Sequence, residues 1–340
     1  MDLVSIIIPN YNREVLVAET VQNMLDQDYP EKEIIVIDDG STDGSVDRLR
    51  EFGEAIKVVQ QKNQGPGAAR NNGLKIAKGK YIQFMDNDDL ASKNKISRQM
   101  ECLHRNKADA VYSPWGKFQI QESTIILDGM VLQSQEIPTS AMIPAMLEGW
   151  STVLQTYLFK REFLDKIGPF KTDVSYLEDI DYLVRIVLNN AVMAFESAPL
   201  VIYRNNSTDK LSATGADSIK KSKADAEFFN SFIAHLQRHV PPKFKQLKNR
   251  LAFRTANTSY ILKDHPDLLE SLDHMMSLKP SFPSPWRVRA IKKVRQYKAG
   301  LKHRIYGSRY NRLFYPQQLS ERQKQLISDL GFKDIISSEI

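Results

Sequence analysis

The sequence predicts an α/β protein with a mostly parallel sheet flanked by helices, on three observations. Apolar β-branched runs alternate with amphipathic stretches from the N-terminus to about residue 85. Polar clusters follow several of those runs, where parallel sheets gather their ligands. The length, 340 residues, supports a sizeable core and, by length alone, two domains.

Val4 to Pro9 is a short β-branched run closed by Pro9-Asn10, and Val17, Val21, Met24 and Leu25 then recur at helical spacing. Glu33 to Ile37 reads as a second buried strand, Ser45 to Phe52 as a short helix and Ile56 to Val59 as a third strand. Ala68 to Ala77 reads as a helix stopped at Gly79, and Tyr81 to Met85 as a fourth strand. Strands joined by helices imply parallel pairing through right-handed crossovers. From Ala110 to about Pro144 short β-like pieces such as Thr124 to Leu127 suggest an antiparallel extension of the sheet. Helical periodicity returns at Ile180, Leu183, Val184, Val187 and Leu188, and after about Thr214 the pattern is helical throughout. The expected division is 1–215 for the sheet domain and 216–340 for a helical C-terminal appendage.

The 42% hydrophobic and 26% charged content excludes a disordered or fibrous chain. No apolar run approaches the roughly 18 residues that span a bilayer, and the N-terminus lacks a secretory pattern. A cytoplasmic protein is expected, and the single cysteine, Cys102, fits a reducing compartment. Cys102 lies among Ile96, Met100 and Leu103, which favours a packed thiol over a nucleophile. The net charge of +6 is local, because ten basic residues fall between 287 and 312 without an acid among them. The rest of the chain is net acidic, so the high pI is no argument for nucleic-acid binding.

The most telling stretch is Gln83-Phe84-Met85-Asp86-Asn87-Asp88-Asp89. A strand that ends in three carboxylates within four positions suits magnesium or manganese, which take one or two protein carboxylates with the oxygens of a substrate diphosphate. The plain alternative is a turn in which Asp88 or Asp89 caps a helix beginning near Ser92. Asp38-Asp39-Gly40-Ser41, after the second strand, can accept hydrogen bonds from ribose hydroxyls or a base N–H, or can be a simple turn. The loop Pro9-Asn10-Tyr11-Asn12-Arg13 has no glycine, which argues against a dinucleotide-dependent oxidoreductase and against a nucleotidyltransferase with a Gly-rich basic loop. Gly65-Pro66-Gly67-Ala68-Ala69-Arg70 opens a helix with small residues that admit a ligand or a second backbone, and Arg70 could stack on a base or pair with a phosphate. Glu178-Asp179 stands at a helix start, where a carboxylate either takes a proton or merely complements the dipole. Trp150 could offer a flat face to a sugar or be an ordinary half-buried indole.

Taken together, the segments Ser5-Ile6-Ile7-Ile8-Pro9-Asn10-Tyr11-Asn12, Ile37-Asp38-Asp39-Gly40-Ser41-Thr42-Asp43, Gly67-Ala68-Ala69-Arg70-Asn71, Met85-Asp86-Asn87-Asp88-Asp89 and Glu178-Asp179-Ile180-Asp181-Tyr182 resemble the ordered motifs of the family 2 glycosyltransferases. Leu158-Phe159-Lys160-Arg161 and Ile167-Gly168-Pro169-Phe170 are similar to that family's pattern as well, and the resemblance spans about residues 3–205. It implies a GT-A fold, a nucleotide-diphosphate sugar donor with UDP as the default, a saccharide or lipid-linked acceptor, Mn2+ or Mg2+ at a DXD motif, and inversion at the anomeric carbon. By the same resemblance Pro9, Tyr11, Asp39 and Arg70 line the nucleoside pocket, Asp86 lies near ribose and sugar, Asp88 reaches the metal and Asp179 is the base. Apart from the resemblance, Trp150 and Glu178 are candidates for the acceptor side. Many relatives carry a histidine after a Tyr-Arg pair. This chain reads Tyr203-Arg204-Asn205-Asn206, so a metal contact from that loop is not carried over. The alternative in another class is a non-catalytic nucleotide-sugar-binding protein with the same pocket.

The last portion matches no part of that pattern. In segment 286–312, Val294, Tyr297, Leu301 and Ile305 recur every three or four residues with Lys and Arg on the other faces, a pattern suited to an anionic membrane surface.

Overall fold

The computed structural model describes residues 1–121, 124–133, 136–147, 152–173, 177–205, 218–240, 242–243, 245–248, 251, 321–330 and 334–337. The expectations placed on Trp150, on Asn206 and on the basic segment 286–312 lie outside those residues. No helix among the described residues is long and apolar enough to cross a membrane.

The predicted alternation is present. Strands β1 (Val4–Asn10), β2 (Lys32–Asp38), β3 (Lys57–Gln60) and β4 (Tyr81–Phe84) are separated by helices α1 (Glu14–Leu25), α2 (Ser45–Arg50) and α3 (Pro66–Ile76). All the pairings among them are parallel: β1 with β2 and with β4, and β2 with β3. Ile6, Ile7, Ile8 and Ile34 to Ile37 are buried, as a parallel sheet covered on both faces requires. After β4 come β5 (Leu90–Ala91), α4 (Lys95–Asn106), β6 (Ala110–Tyr112), β7 (Trp115–Gln121), β8 (Thr124–Gln133), α5 (Thr139–Leu147), β9 (Tyr157–Lys160), α6 (Arg161–Ile167), α7 (Glu178–Leu188), β10 (Met193–Phe195) and β11 (Val201–Arg204). The main sheet runs β10-β6-β9-β4-β1-β2-β3, and β9 is antiparallel to both its neighbours.

Two expectations change. The antiparallel hairpin β7–β8 does not extend the main sheet; it belongs to a second sheet, together with β11, β5 and a C-terminal strand. The C-terminal portion is not wholly helical either. Besides helices α8 (Ser218–His239) and α9 (Glu321–Ser328) it holds strand β12 (Asp334–Ser337), which follows α9 and pairs in parallel with β8. Its Asp334-Ile335-Ile336-Ser337 is too short for periodicity to separate strand from helix. Phe228, Phe232, Ile233 and Leu236 of α8 pack in the same apolar cluster as Phe84, Phe170 and Tyr182 beside the main sheet.

Helix α3 is set close to the sheet by glycine. A Cβ at Gly73 would overlap Ile7 Cγ2 of β1, and one at Gly67 would stand 2.8 Å from the carbonyl oxygen of Lys171. The small residues seen in the sequence therefore admit neighbouring protein, and they fix where Arg70 emerges.

Candidate functional site

The loops after β1 and β2 are stitched together. Asn10 Nδ2 donates to Asp38 Oδ2 at 2.9 Å, Asn12 N to Ser41 Oγ at 2.9 Å, and Thr42 N to Asn12 Oδ1 at 2.7 Å. Pro9 is buried at the end of β1, while Tyr11 on the same loop is 47% exposed. A half-exposed ring on a braced loop can stack on a flat ligand.

Asp39 is buried and already holds three donors: Gln61 Nε2 at 2.7 Å, Gln64 N at 2.8 Å and Gly65 N at 2.8 Å. The last two belong to the residues leading into α3. Asp39 thus anchors the turn that launches the helix carrying Arg70, a task the sequence did not suggest.

Arg70 is the centre of the site. Its side chain, 5% exposed, donates through Nη2 to Asp86 Oδ1 at 2.8 Å and through Nη1 to Glu178 Oε1 at 2.7 Å. Its guanidinium carbon lies 5.6 Å from the ring centre of Phe170, and its buried Nε–H has no acceptor. Burial opposes its charge, but Asp86, Glu178 and Asp179 outweigh that and hold its pKa further up. The guanidinium gathers acids from the loop after β4 and from the start of α7.

Asp179 follows Glu178 in the first turn of α7, reached through Leu177 in a left-handed conformation (φ 66°). Desolvation first, then the neighbouring Glu178 charge, push its pKa up to about 7 against the pull of Arg70. The third acid of that turn is structural: Asp181 pairs with Lys171 Nζ at 2.7 Å and Arg185 Nε at 2.8 Å.

The acidic loop after β4 is held from three sides. Asn87 Nδ2 reaches Asn10 Oδ1 at 2.7 Å, Thr20 Oγ1 donates to the carbonyl of Asp89 at 2.9 Å, and Gln155 Nε2 bridges Asp86 Oδ2 and Asp89 Oδ2 at 2.5 and 2.6 Å. Arg204, placed by the pairing of β11 with β5, donates from N to Asp89 Oδ1, from Nε to the carbonyl of Asp88, and from Nη2 to Glu19. The helix-cap alternative does not hold, because α4 starts at Lys95 after Asn94 with no side-chain cap. Asp39, Arg70, Asp86, Gln155, Asp89 and Arg204 thus form a continuous path, through the α3 turn, from one edge of the site to the other. Gln155 was missed in the sequence, where a lone glutamine carries no spacing signal. Arg204 was noted only for the residue that follows it.

Among the described residues no group of three or more His, Cys, Asp or Glu side chains could hold a metal ion. The donor set instead fits a hard cation that draws most of its shell from a diphosphate and water. Both Asp86 oxygens are engaged, by Arg70 and by Gln155, and Asp88 is buried on the same loop.

The sequence profile described as Glycosyl transferase family 2 matches residues 5–167. The chain is 32% identical over 197 residues to UDP-Glc:alpha-D-GlcNAc-diphosphoundecaprenol beta-1,3-glucosyltransferase WfaP of Escherichia coli, covering 57% of this chain and 73% of that protein. It is 31% identical over 209 residues to an uncharacterized glycosyltransferase of Haemophilus influenzae, covering 55% of this chain and 80% of that protein. The chain belongs to the family 2 glycosyltransferases. Among solved structures, this glycosyltransferase resembles S. aureus TarS 1-349 in complex with UDP-GlcNAc (TM-score 0.53, 20% identity, 88% of this chain and 92% of that one). It also resembles the mannosyltransferase PcManGT from Pyrobaculum calidifontis in complex with GDP-Man and Mn2+ (TM-score 0.55, 19% identity, 98% and 87%). At such identities the likeness concerns the fold, which is the GT-A fold expected from the sequence.

Proposed function

We propose that this glycosyltransferase inverts configuration, moving a sugar from a nucleotide-diphosphate donor, with UDP as the default, to an acceptor hydroxyl in cell-surface polysaccharide or glycoconjugate assembly. The observation that carries the reading is the Arg70 bridge, which gathers Asp86, Glu178 and Asp179 at one place.

A single displacement needs a base opposite the departing diphosphate. Asp179 is that base. With a pKa of about 7 it is ionised in a useful fraction of molecules at neutral pH and basic enough to accept the hydroxyl proton as the oxygen attacks the anomeric carbon. Arg70 pairs with Asp86 and Glu178 beside it and fixes their geometry. Pro9, Tyr11, Asp39 and Arg70 line the nucleoside side, Asp86 faces ribose and sugar, and the unpaired Nε–H of Arg70 is a donor for an oxygen of the ligand. Glu178 and Trp150 are assigned to the acceptor side. Asp88 would hold a bound Mn2+ or Mg2+, which neutralises charge on the leaving diphosphate.

The relative from E. coli is named for a lipid-diphosphate acceptor, which supports a lipid-linked or saccharide acceptor here. The basic segment 286–312 supports peripheral contact with the inner face of the membrane. Failure to co-sediment with anionic vesicles at low salt would refute that contact. The donor reading is tested by calorimetry with UDP, GDP and their sugars, with and without MnCl2. Binding of one diphosphate family, tightened by manganese, is expected, and no binding to any of them would reject it.

A further inference from the structure

Behind the acidic loop lies a buried polar cluster that the transfer reaction does not use directly. Lys95, on α4, is 1% exposed, and burial pushes its ammonium well below the usual lysine range. Its Nζ donates to Gln83 Oε1 and, at 2.8 Å, to Gln99 Oε1. Because a lysine head serves here as the donor, both glutamines must turn their carbonyl oxygens toward it. Their amide nitrogens are thereby committed to the opposite side. Gln83 Nε2 donates to the carbonyl of Gln155 at 2.9 Å, and Gln99 Nε2 to the carbonyl of Thr156 at 2.7 Å.

Two consecutive carbonyls of the short 3-10 turn Leu154–Thr156 are therefore held by two amides that one amine orients. From that turn the Gln155 side chain reaches forward to Asp86 and Asp89. We propose that Lys95 and Gln155 are positioning residues of the donor pocket: Lys95 sets the amides of Gln83 and Gln99, these fix the turn, and the turn aims Gln155 at Asp86. A buried lysine without a carboxylate among its hydrogen-bond partners costs stability, and this relay is what it supplies in return. The inference rests on the donor reading above, through Asp86.

The test is a double-mutant cycle with Lys95→Met and Gln155→Met, read by calorimetry of UDP and of GDP with MnCl2. Each single variant should bind about tenfold more weakly, as lost outer-shell partners typically do. The double variant should also lose about tenfold, not about a hundredfold, because both act through one turn. Wild-type binding in Lys95→Met, or an additive double variant, overturns the proposal. A ligand-free readout separates it from the donor reading. Arg204 N–H donates to Asp89 Oδ1, so hydrogen exchange in a peptide spanning 201–205 should rise in both variants beyond the rise in β1. Equal rises overturn the relay even where the wild-type chain binds neither diphosphate, a result that would reject the donor reading by itself. Should Lys95→Met not fold, Lys95→Gln keeps two donor hydrogens on a shorter arm and carries the same expectations.

Discussion

Arg70 and Glu178, 108 positions apart in the chain, meet at 2.7 Å in a pair whose side chains are 5% and 12% exposed. The same guanidinium holds Asp86 at 2.8 Å, so a single cation sits between the end of β4 and the start of α7. Removing it leaves Asp86, Glu178 and Asp179 with their mutual repulsion and no compensating charge. Breaking a buried pair from one side is costly because the partner charge stays behind. Arg70→Met should lower stability by about 3 kcal/mol in urea unfolding and abolish nucleotide binding. An unchanged unfolding midpoint would show that the bridge contributes nothing.

The raised Asp179 carboxyl predicts a particular pH dependence. Its folded pKa of about 7 stands above the ordinary value of 3.8, so between these limits the folded state binds more protons than the unfolded one. Its contribution to stability is fully present below about pH 3.8 and is lost as pH rises through 7. Between pH 4 and 8, Asp179→Asn should therefore lose less stability than the wild type. Parallel pH profiles for the two proteins in thermal unfolding would refute the shift. The logarithm of kcat/KM in the wild type should rise with pH and level off near 7 for the same reason.

The close seat of α3 predicts intolerance at Gly73. Gly73→Ala would press a methyl group into Ile7 of β1, and overpacking of this kind costs about 1–3 kcal/mol. Because the helix would move with Arg70 on it, nucleotide affinity should fall along with stability. A variant of native stability and native affinity would mean that the sheet yields there at no cost.

The four-strand alternation up to residue 85 was legible because buried β-branched runs and helical spacing are local signals, and Tyr81–Phe84 fell within a residue of its expected end. The acids at the strand ends were legible too, since a parallel sheet fixes where its ligand side lies. What the acids do to one another was not. That Arg70 would pair with Glu178, or that Asp39 would hold the backbone of Gln64 and Gly65, depends on the seat of α3 on β1, which only packing determines. Gln155 was invisible because its turn is set by two buried glutamines and Lys95 from elsewhere in the chain. The hairpin β7–β8 was read as antiparallel correctly but assigned to the wrong sheet, because strand pattern does not say which edge a strand joins.

Asp88 is predicted to matter only when a divalent ion is present. Asp88→Ala should weaken manganese-dependent nucleotide binding about 10- to 100-fold, with little effect on the metal-free affinity. Equal binding of the two proteins by calorimetry in MnCl2 would contradict its assignment as the metal carboxylate.

Asp179→Asn offers the most direct test, because it keeps the shape of the side chain and removes its basicity. Once a donor sugar is identified, turnover should fall by about 10²- to 10⁴-fold while donor affinity stays within about twofold of the wild type. Turnover near the wild-type rate with an intact donor pocket would contradict the claim that this carboxylate takes the acceptor proton.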